Sequence, residues 1–413
     1  MRSVSFDQYT LQTKYRFLFE GGSVEAEIPP PAQQDRPSGA DANLSRGADP
    51  FRPDWLLLGR HGLRAGWSLA IFLVLFRLFS FLAGSATVAI YPAILHFDFS
   101  PSSALVNELI PFLAMLGAAA VVSLIEHRRL VEFNLEGPRR TFHFFSGAAA
   151  GFLALTLLVA ALDWGGWLHF GPVALSGPGI VKFAALWGCA FLLVGCVEEG
   201  VFRCFLLSTL TRGVNFWWAL AIVSFLCADL ALRSHGQIGL VAFVWMEPMG
   251  AVSAGGAWGV YAAAVLGLLA CAGLHFTMPD GAGFWQATWV TSTLFGFVHT
   301  SNNGENWIGI FAAAAIGFVF CVSVWVTGSA WWAIGCHAAW DWAETYFYGT
   351  ADSGFVSKGH LLTARPTGTA LWSGGADGPE GSLLVLAVIT LLLLALLVLH
   401  ARKREAGAES GRL

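Results

Sequence analysis

Long apolar stretches recur along this chain with only short polar gaps between them, and each is the length of a membrane-crossing helix. A spanning helix needs about 20 mostly apolar residues. Segments that qualify run from about Trp67 to Tyr91, Ala104 to Ile125, His143 to Leu162 and Ile180 to Val197, the last continuing as helix past Arg203. Further segments run from Phe216 to Leu232, about Ala257 to His275, Phe284 to His299, Trp307 to Val326, Ser329 to Phe347, and Leu383 to Leu399. The expected fold is therefore all-α, a polytopic transmembrane helix bundle of about ten spans. The apolar stretch from Gly236 to Gly250 is short and carries Glu247-Pro248, which suits a re-entrant segment.

Composition agrees. Of the 413 residues, 56% are hydrophobic and 12% charged. Soluble domains carry about 25% charged residues, so this chain lacks the polar surface to coat a water-soluble body. A net charge of −4 with sparse charges leaves no electrostatic footprint for nucleic acid. Seven cysteines, none in a C-x-x-C pair, sit in apolar stretches and read as packing residues, neither a disulfide framework nor a zinc knuckle.

The chain divides into four expected parts. Residues 1–55, polar and with Pro29-Pro30-Pro31, form a disordered cytoplasmic tail with no signal-peptide core. Residues 56–348 hold the transmembrane core, and 349–382, Gly-rich and interrupted by Pro366 and Pro379, form a non-helical extracytoplasmic loop. Residues 383–413 supply a last spanning helix and a basic tail. Arg52, Arg60 and Arg64, then Arg128, Arg129, Arg139 and Arg140, then Arg212, then Arg402-Lys403-Arg404 all fall on one side of a ten-span arrangement. By the positive-inside rule that side is the cytoplasm, with both termini inside. A multi-pass plasma (inner) membrane protein of bacterial type is expected. No internal repeat of clear period favours an inverted-repeat transporter.

Ionisable groups inside spans are costly and default to a functional reading. Glu199 and Arg203, four apart, can pair along one face, which leaves Glu198 to face something else. An unpaired buried carboxylate is suited to act as a general base. Phe295 and His299 share a face, as do His337 and Asp341. Alone, each pattern is more often a salt-bridged face, a packed histidine or a local hydrogen bond. In hydrocarbon the solvated-face reading is lost, and three clusters on three helices can converge in a bundle core.

Glu198-Glu199-x-x-x-Arg203, Phe295-x-x-x-His299 and His337-x-x-x-Asp341 resemble the three-motif signature of the CPBP family, the CAAX-protease and bacteriocin-processing intramembrane peptidases. The resemblance covers roughly residues 120 to 348. Asn303 to Gly309, His337 to Gly349 and Gly375 to Ser382 resemble a bacterial branch. Two departures stand out: Asp341 replaces the Asn of many members, and about ninety residues separate the first two motifs where the family has a few tens. The excess reads as an added pair of spans near 215–280.

The resemblance implies an intramembrane endopeptidase acting on a peptide or protein substrate at the membrane, a prenylated tail being one option, in contact with membrane lipid. Glu198 would be the general base, His299 would hold and polarise the water, and His337 with Asp341 would stabilise the oxyanion. Glu199 and Arg203 would brace them. Family members are described both as zinc and as metal-free glutamate peptidases. A zinc ion would be held by Glu198, His299 and His337, although no H-E-x-x-H helix is present. Two other classes remain open: a proton-coupled transporter, which would also use Arg77, Glu108 and Asp229, and a non-catalytic membrane scaffold.

Overall fold

A computed structural model describes residues 57–59, 62–92, 99–239, 254–277, 282–302 and 304–410. The expected disordered tail, most of the re-entrant stretch and the extreme C-terminus lie outside the described residues. Ten principal helices follow one another: α1 (Ala65–Ile90), α2 (Pro101–Ile125), α3 (Arg140–Trp164), α4 (Pro178–Gly213), α5 (Phe216–Ser234), α6 (Ala254–Thr277), α7 (Ala282–His299), α8 (Trp307–Thr327), α9 (Trp331–Trp342) and α10 (Leu384–Ser410). Each expected span is one of these helices.

Eight of them contain a segment long and apolar enough to cross a membrane; α7 and α9 do not. Both carry the polar motif residues, and both are shielded by neighbours. Gln286, Thr288, Thr291, Ser292 and Thr293 of α7 are all buried. The Thr291 hydroxyl folds back onto its own helix, Oγ1 donating to the Ala287 carbonyl at 2.8 Å. Polar groups at membrane depth are tolerated where protein rather than lipid surrounds them. The bundle is therefore layered: α7 and α9 lie inside together with the apolar but deeply buried α8, and the other helices surround them.

Small residues bring α9 against α3. A Cβ added at Gly147 would sit 2.1 Å from the Trp332 carbonyl oxygen, one at Gly151 2.1 Å from that of Cys336, and one at Gly335 2.1 Å from that of Phe144. The Gly147-x-x-x-Gly151 spacing matches the small-residue stripe by which membrane helices approach backbone to backbone. On its other side α9 packs on α4, and α7 packs on α8. The deeply buried α8 also touches α6, α9 and α10.

The added pair, α5 and α6, packs on the outer side of α7, with α6 also against α8, while α7 keeps its contact with the C-terminal part of α4. The insertion thus covers the second motif helix without separating it from the first. Arg233 of α5 reaches inward, where its Nη1 donates to Thr300 Oγ1 at 3.2 Å, one residue beyond His299.

The two ends of the bundle differ in charge. At one end Arg128 and Arg212, two of the arginines expected on one side, both meet Glu126, at 3.3 and 2.9 Å. At the other, the segment after α9 folds over the bundle. Ala364–Pro366 pairs antiparallel with Leu168–Phe170, Lys358 N donates to the Phe99 carbonyl, and Trp187 Nε1 donates to the Lys358 carbonyl. The expectation of a non-helical loop needs correction in detail. Ala370–Ser373 forms a helical turn and Pro379–Gly381 a 3₁₀ turn, because Pro379 suits the first position of such a turn.

Candidate active site

The helix that carries the first motif changes its winding there. Pro178–Glu199 is α-helical, Gly200–Leu206 is π-helical, and the α form resumes at Leu207. Such wide turns cluster at functional sites because they re-aim side chains relative to a regular helix. Glu199 and Arg203 are fully buried and pair, Arg203 Nε lying 3.2 Å from Glu199 Oε2. The guanidinium rests among three aromatic rings, 4.2 Å from the centroid of Phe295, 5.3 Å from Phe320 and 5.6 Å from Phe202. Asn134 Nδ2 holds the Arg203 carbonyl at 2.7 Å.

Glu199 does more than pair with Arg203. Its Oε1 accepts from His337 Nδ1 at 2.8 Å, which turns the other ring nitrogen, Nε2, toward Asp341 and Glu198. Nε2 lies 3.4 Å from Asp341 Oδ2 and 3.8 Å from Glu198 Oε2. The Phe320 ring stacks on the imidazole with centroids 5.8 Å apart. A chain of charge therefore runs from α4 to α9: Arg203, Glu199, His337, then the carboxyls of Asp341 and Glu198.

His299 is oriented by its own helix. Its Nδ1 bonds the Phe295 carbonyl at 2.8 Å, and the Phe295 ring lies 4.7 Å away, sheltering it as their shared face predicts. That bond makes Nδ1 the donor and leaves Nε2 unprotonated when the ring is neutral.

Glu198, His299, His337 and Asp341 all line one cavity of about 220 Å³. A single water needs only about 10–15 Å³ of such space, so the hollow has room for more than one water. Its wall is amphipathic. Phe191, Val194, Ile316, Phe320, Val385 and Ile389 supply apolar lining alongside the ionisable groups. One Glu198 oxygen, Oε2, is buried without a hydrogen-bond partner.

Five further polar residues line the same cavity: Asn302, Glu305, Asp352, Ser353 and Glu380. Glu305 and Glu380 lie in two stretches whose pattern resembles the bacterial branch, which was the signal available for them. Asp352 lies in a Gly-rich connection without periodicity and offers no such signal. Burial raises the Asp352 carboxyl to about 6 and that of Glu380 to about 8, with neighbouring carboxylates adding to the effect. Asp377 is raised to about 8 and Glu305 also lies above the usual carboxylate range, again chiefly through burial. Arg77, Glu108 and Asp229, the charges a proton relay would use, do not line the cavity. Asp229 faces Arg233 on α5 at 3.7 Å.

Residues 180–279 and 279–343 match the model of a family described as Rce1-like, type II CAAX prenyl endopeptidase Rce1-like. Over that segment the chain is similar to the Rce1-like family. All three motifs and both added helices fall within it, so the CAAX-protease resemblance is borne out by an independent match. No curated protein and no solved structure matches the chain. The Rce1-like match, together with eight helices of membrane-crossing length, supports a multi-pass intramembrane protease, a hydrolase with peptide substrates at the membrane.

Proposed function

We propose that the protein is an intramembrane endopeptidase in which Glu198 activates a water for attack on a peptide bond. The observation that carries this reading is the convergence of Glu198, His299, His337 and Asp341, from three helices, on one partly apolar cavity. In this reading Glu198 takes a proton from the water as the oxygen attacks the carbonyl carbon, and His299 Nε2 accepts from the same water and fixes its direction. The tetrahedral oxyanion is met by His337 Nε2–H and by a protonated Asp341. His337, charged and held through Nδ1 by Glu199, can donate from both nitrogens. Glu198 then returns its proton to the departing amine as the C–N bond breaks.

The residue types suit a zinc ion but their spacing does not: among the described residues only Glu344, Asp352 and Glu380 each bring a ligand atom within 4.8 Å of the others. Both histidines have Nδ1 engaged by an acceptor, the supporting arrangement of metal-bound imidazoles, and Glu198 keeps a buried oxygen without a partner. Only with Glu198, His299 and His337 drawn closer together would they hold the ion, which would then supply a water of lowered pKa and polarise the carbonyl.

The mixed apolar and ionisable lining suits a substrate with a hydrophobic or lipidated segment beside the bond to be cut, a prenylated tail among them. The Arg128–Glu126–Arg212 end is assigned to the cytoplasm of a bacterial inner membrane, with both termini on that side and the 349–382 segment outside. Transport and scaffold readings are separated from this one by product. Purified protein in detergent should cleave a hydrophobic or prenylated peptide into two fragments, and proteoliposomes should show no coupled flux. Flux without fragments would replace the peptidase reading by the transporter one.

A further inference from the structure

Three carboxyl groups outside the proposed catalytic set converge where the chain closes over the cavity. Glu344 belongs to the π-helical turn Ala343–Tyr348 that ends α9, Asp352 to the connection after it, and Glu380 to the 3₁₀ turn before α10. One oxygen from each lies within 4.8 Å of the others. Glu344 is fully buried, and its Oε1 has no hydrogen-bond partner. The donors that reach the cluster are few among the described residues. Trp340 Nε1 is shared between Glu344 Oε2, at 3.0 Å, and Glu380 Oε1, at 2.7 Å, and Thr345 Oγ1 donates to Asp352 Oδ2 at 2.6 Å. Six carboxylate oxygens thus meet two protein donors, and one of those oxygens is sealed from water with nothing to bond.

We propose that Glu344, Asp352 and Glu380 form a binding site for a hard divalent cation of the calcium class. The donors are all oxygen, which selects calcium, magnesium or manganese over zinc or copper. Calcium accepts flexible coordination by six to eight oxygens, which suits three carboxylates from separate segments, whereas magnesium demands a near-ideal octahedron and keeps several of its waters. A cation here gives the orphaned Glu344 Oε1 a partner and relieves the mutual repulsion of three groups held away from water. Its effect is that of a staple. It ties the end of α9, the segment after it and the start of α10 into one wall, and Asp352 and Glu380 are part of the lining that Glu198 and Asp341 share. This site goes beyond the peptidase reading and stands independently of it.

The test uses the full-length protein in detergent, stripped with chelator and titrated with Tb³⁺, then with Ca²⁺. Because the Trp340 indole touches two of the ligands, excitation of tryptophan should sensitise Tb³⁺ emission at one ion per chain, and Ca²⁺ should quench it by displacement. Glu344→Gln with Glu380→Gln should weaken Tb³⁺ binding at least tenfold and abolish the rise in melting temperature that Ca²⁺ gives the parent protein. Asp352→Asn, a milder change at the rim, should weaken binding as well if the double variant fails to fold. Glu198→Gln should keep the full signal. Absence of a stoichiometric Tb³⁺ site, or equal binding by parent and Asp352→Asn, overturns the proposal, as does loss of the signal in Glu198→Gln.

Discussion

Arg203 illustrates how a single side chain serves two ends at once. Its charge neutralises Glu199, which in turn orients His337, and its stem fills an aromatic box. Breaking a buried pair by removing one partner costs about 3–5 kcal/mol, so Arg203→Leu should lower the unfolding free energy by that order, read by thermal or denaturant unfolding in detergent. Glu199→Gln keeps the shape and removes the charge; it should spare stability more than Arg203→Leu yet still depress turnover, because His337 loses its anionic anchor. Equal turnover in the parent and Glu199→Gln would show that the anchor has no part in positioning. At this scale the pairings followed from helical spacing alone: Glu199 with Arg203, Phe295 with His299, His337 with Asp341. The bond between Glu199 and His337 did not, because it joins residues 138 apart in sequence and depends on how α4 and α9 cross.

Helices were legible because their apolar runs have the length a bilayer demands, and all ten expected segments are helical. What composition could not reveal is which helices lipid touches. Length and hydropathy set α7 and α9 apart from the eight more apolar helices, and the packing adds that their polar side chains are covered by neighbours. The contact between α3 and α9 carries that arrangement. Replacing Gly335 by Leu places a side chain where a Cβ already meets the Phe144 carbonyl at 2.1 Å. Overpacking of side chains costs about 1–3 kcal/mol, and a clash with backbone leaves less room to relax, so the cost should exceed that range. Turnover should fall with it, since His337 and Asp341 ride on α9. Arg233 offers a gentler probe of the added helices. Arg233→Met removes the bond to Thr300 beside His299 and should lower kcat more than it changes KM, measured on a cleavable peptide. An unchanged kcat would mean that α5 and α6 cover α7 without steering it.

For the whole molecule, the acidic wall sets a pH dependence whose sign follows from burial. Asp377 and Glu380 are raised to about 8 and Asp352 to about 6, well above the ordinary carboxylate values they regain on unfolding. The groups around Glu380 are Glu344, Trp340, Asp352, Asp377, Glu305 and His299, those around Asp352 are Glu344, Thr345, His337, Glu198 and Glu305, and those around Asp377 are Glu305, Asn306 and Asp352. A raised carboxyl favours the folded state most when protonated. The contribution is therefore complete below about pH 4 and declines as pH rises toward about 8. With chelator present, hydrogen exchange over 349–382 should quicken across that window, and added Ca²⁺ should slow it again at the upper end. The closing of this segment was the least legible feature of the chain, since Asp352 and Glu380 lie in glycine-rich connections whose course no periodicity dictates. The central claim, that Glu198 drives a water into a peptide bond inside the bundle, is tested most directly by digesting a hydrophobic peptide in H₂¹⁸O with the parent protein and with Glu198→Gln. The account predicts one ¹⁸O atom in the new carboxyl terminus made by the parent and a rate about 10²–10⁴-fold lower for Glu198→Gln. Parental turnover by Glu198→Gln, or product lacking the label, would contradict it.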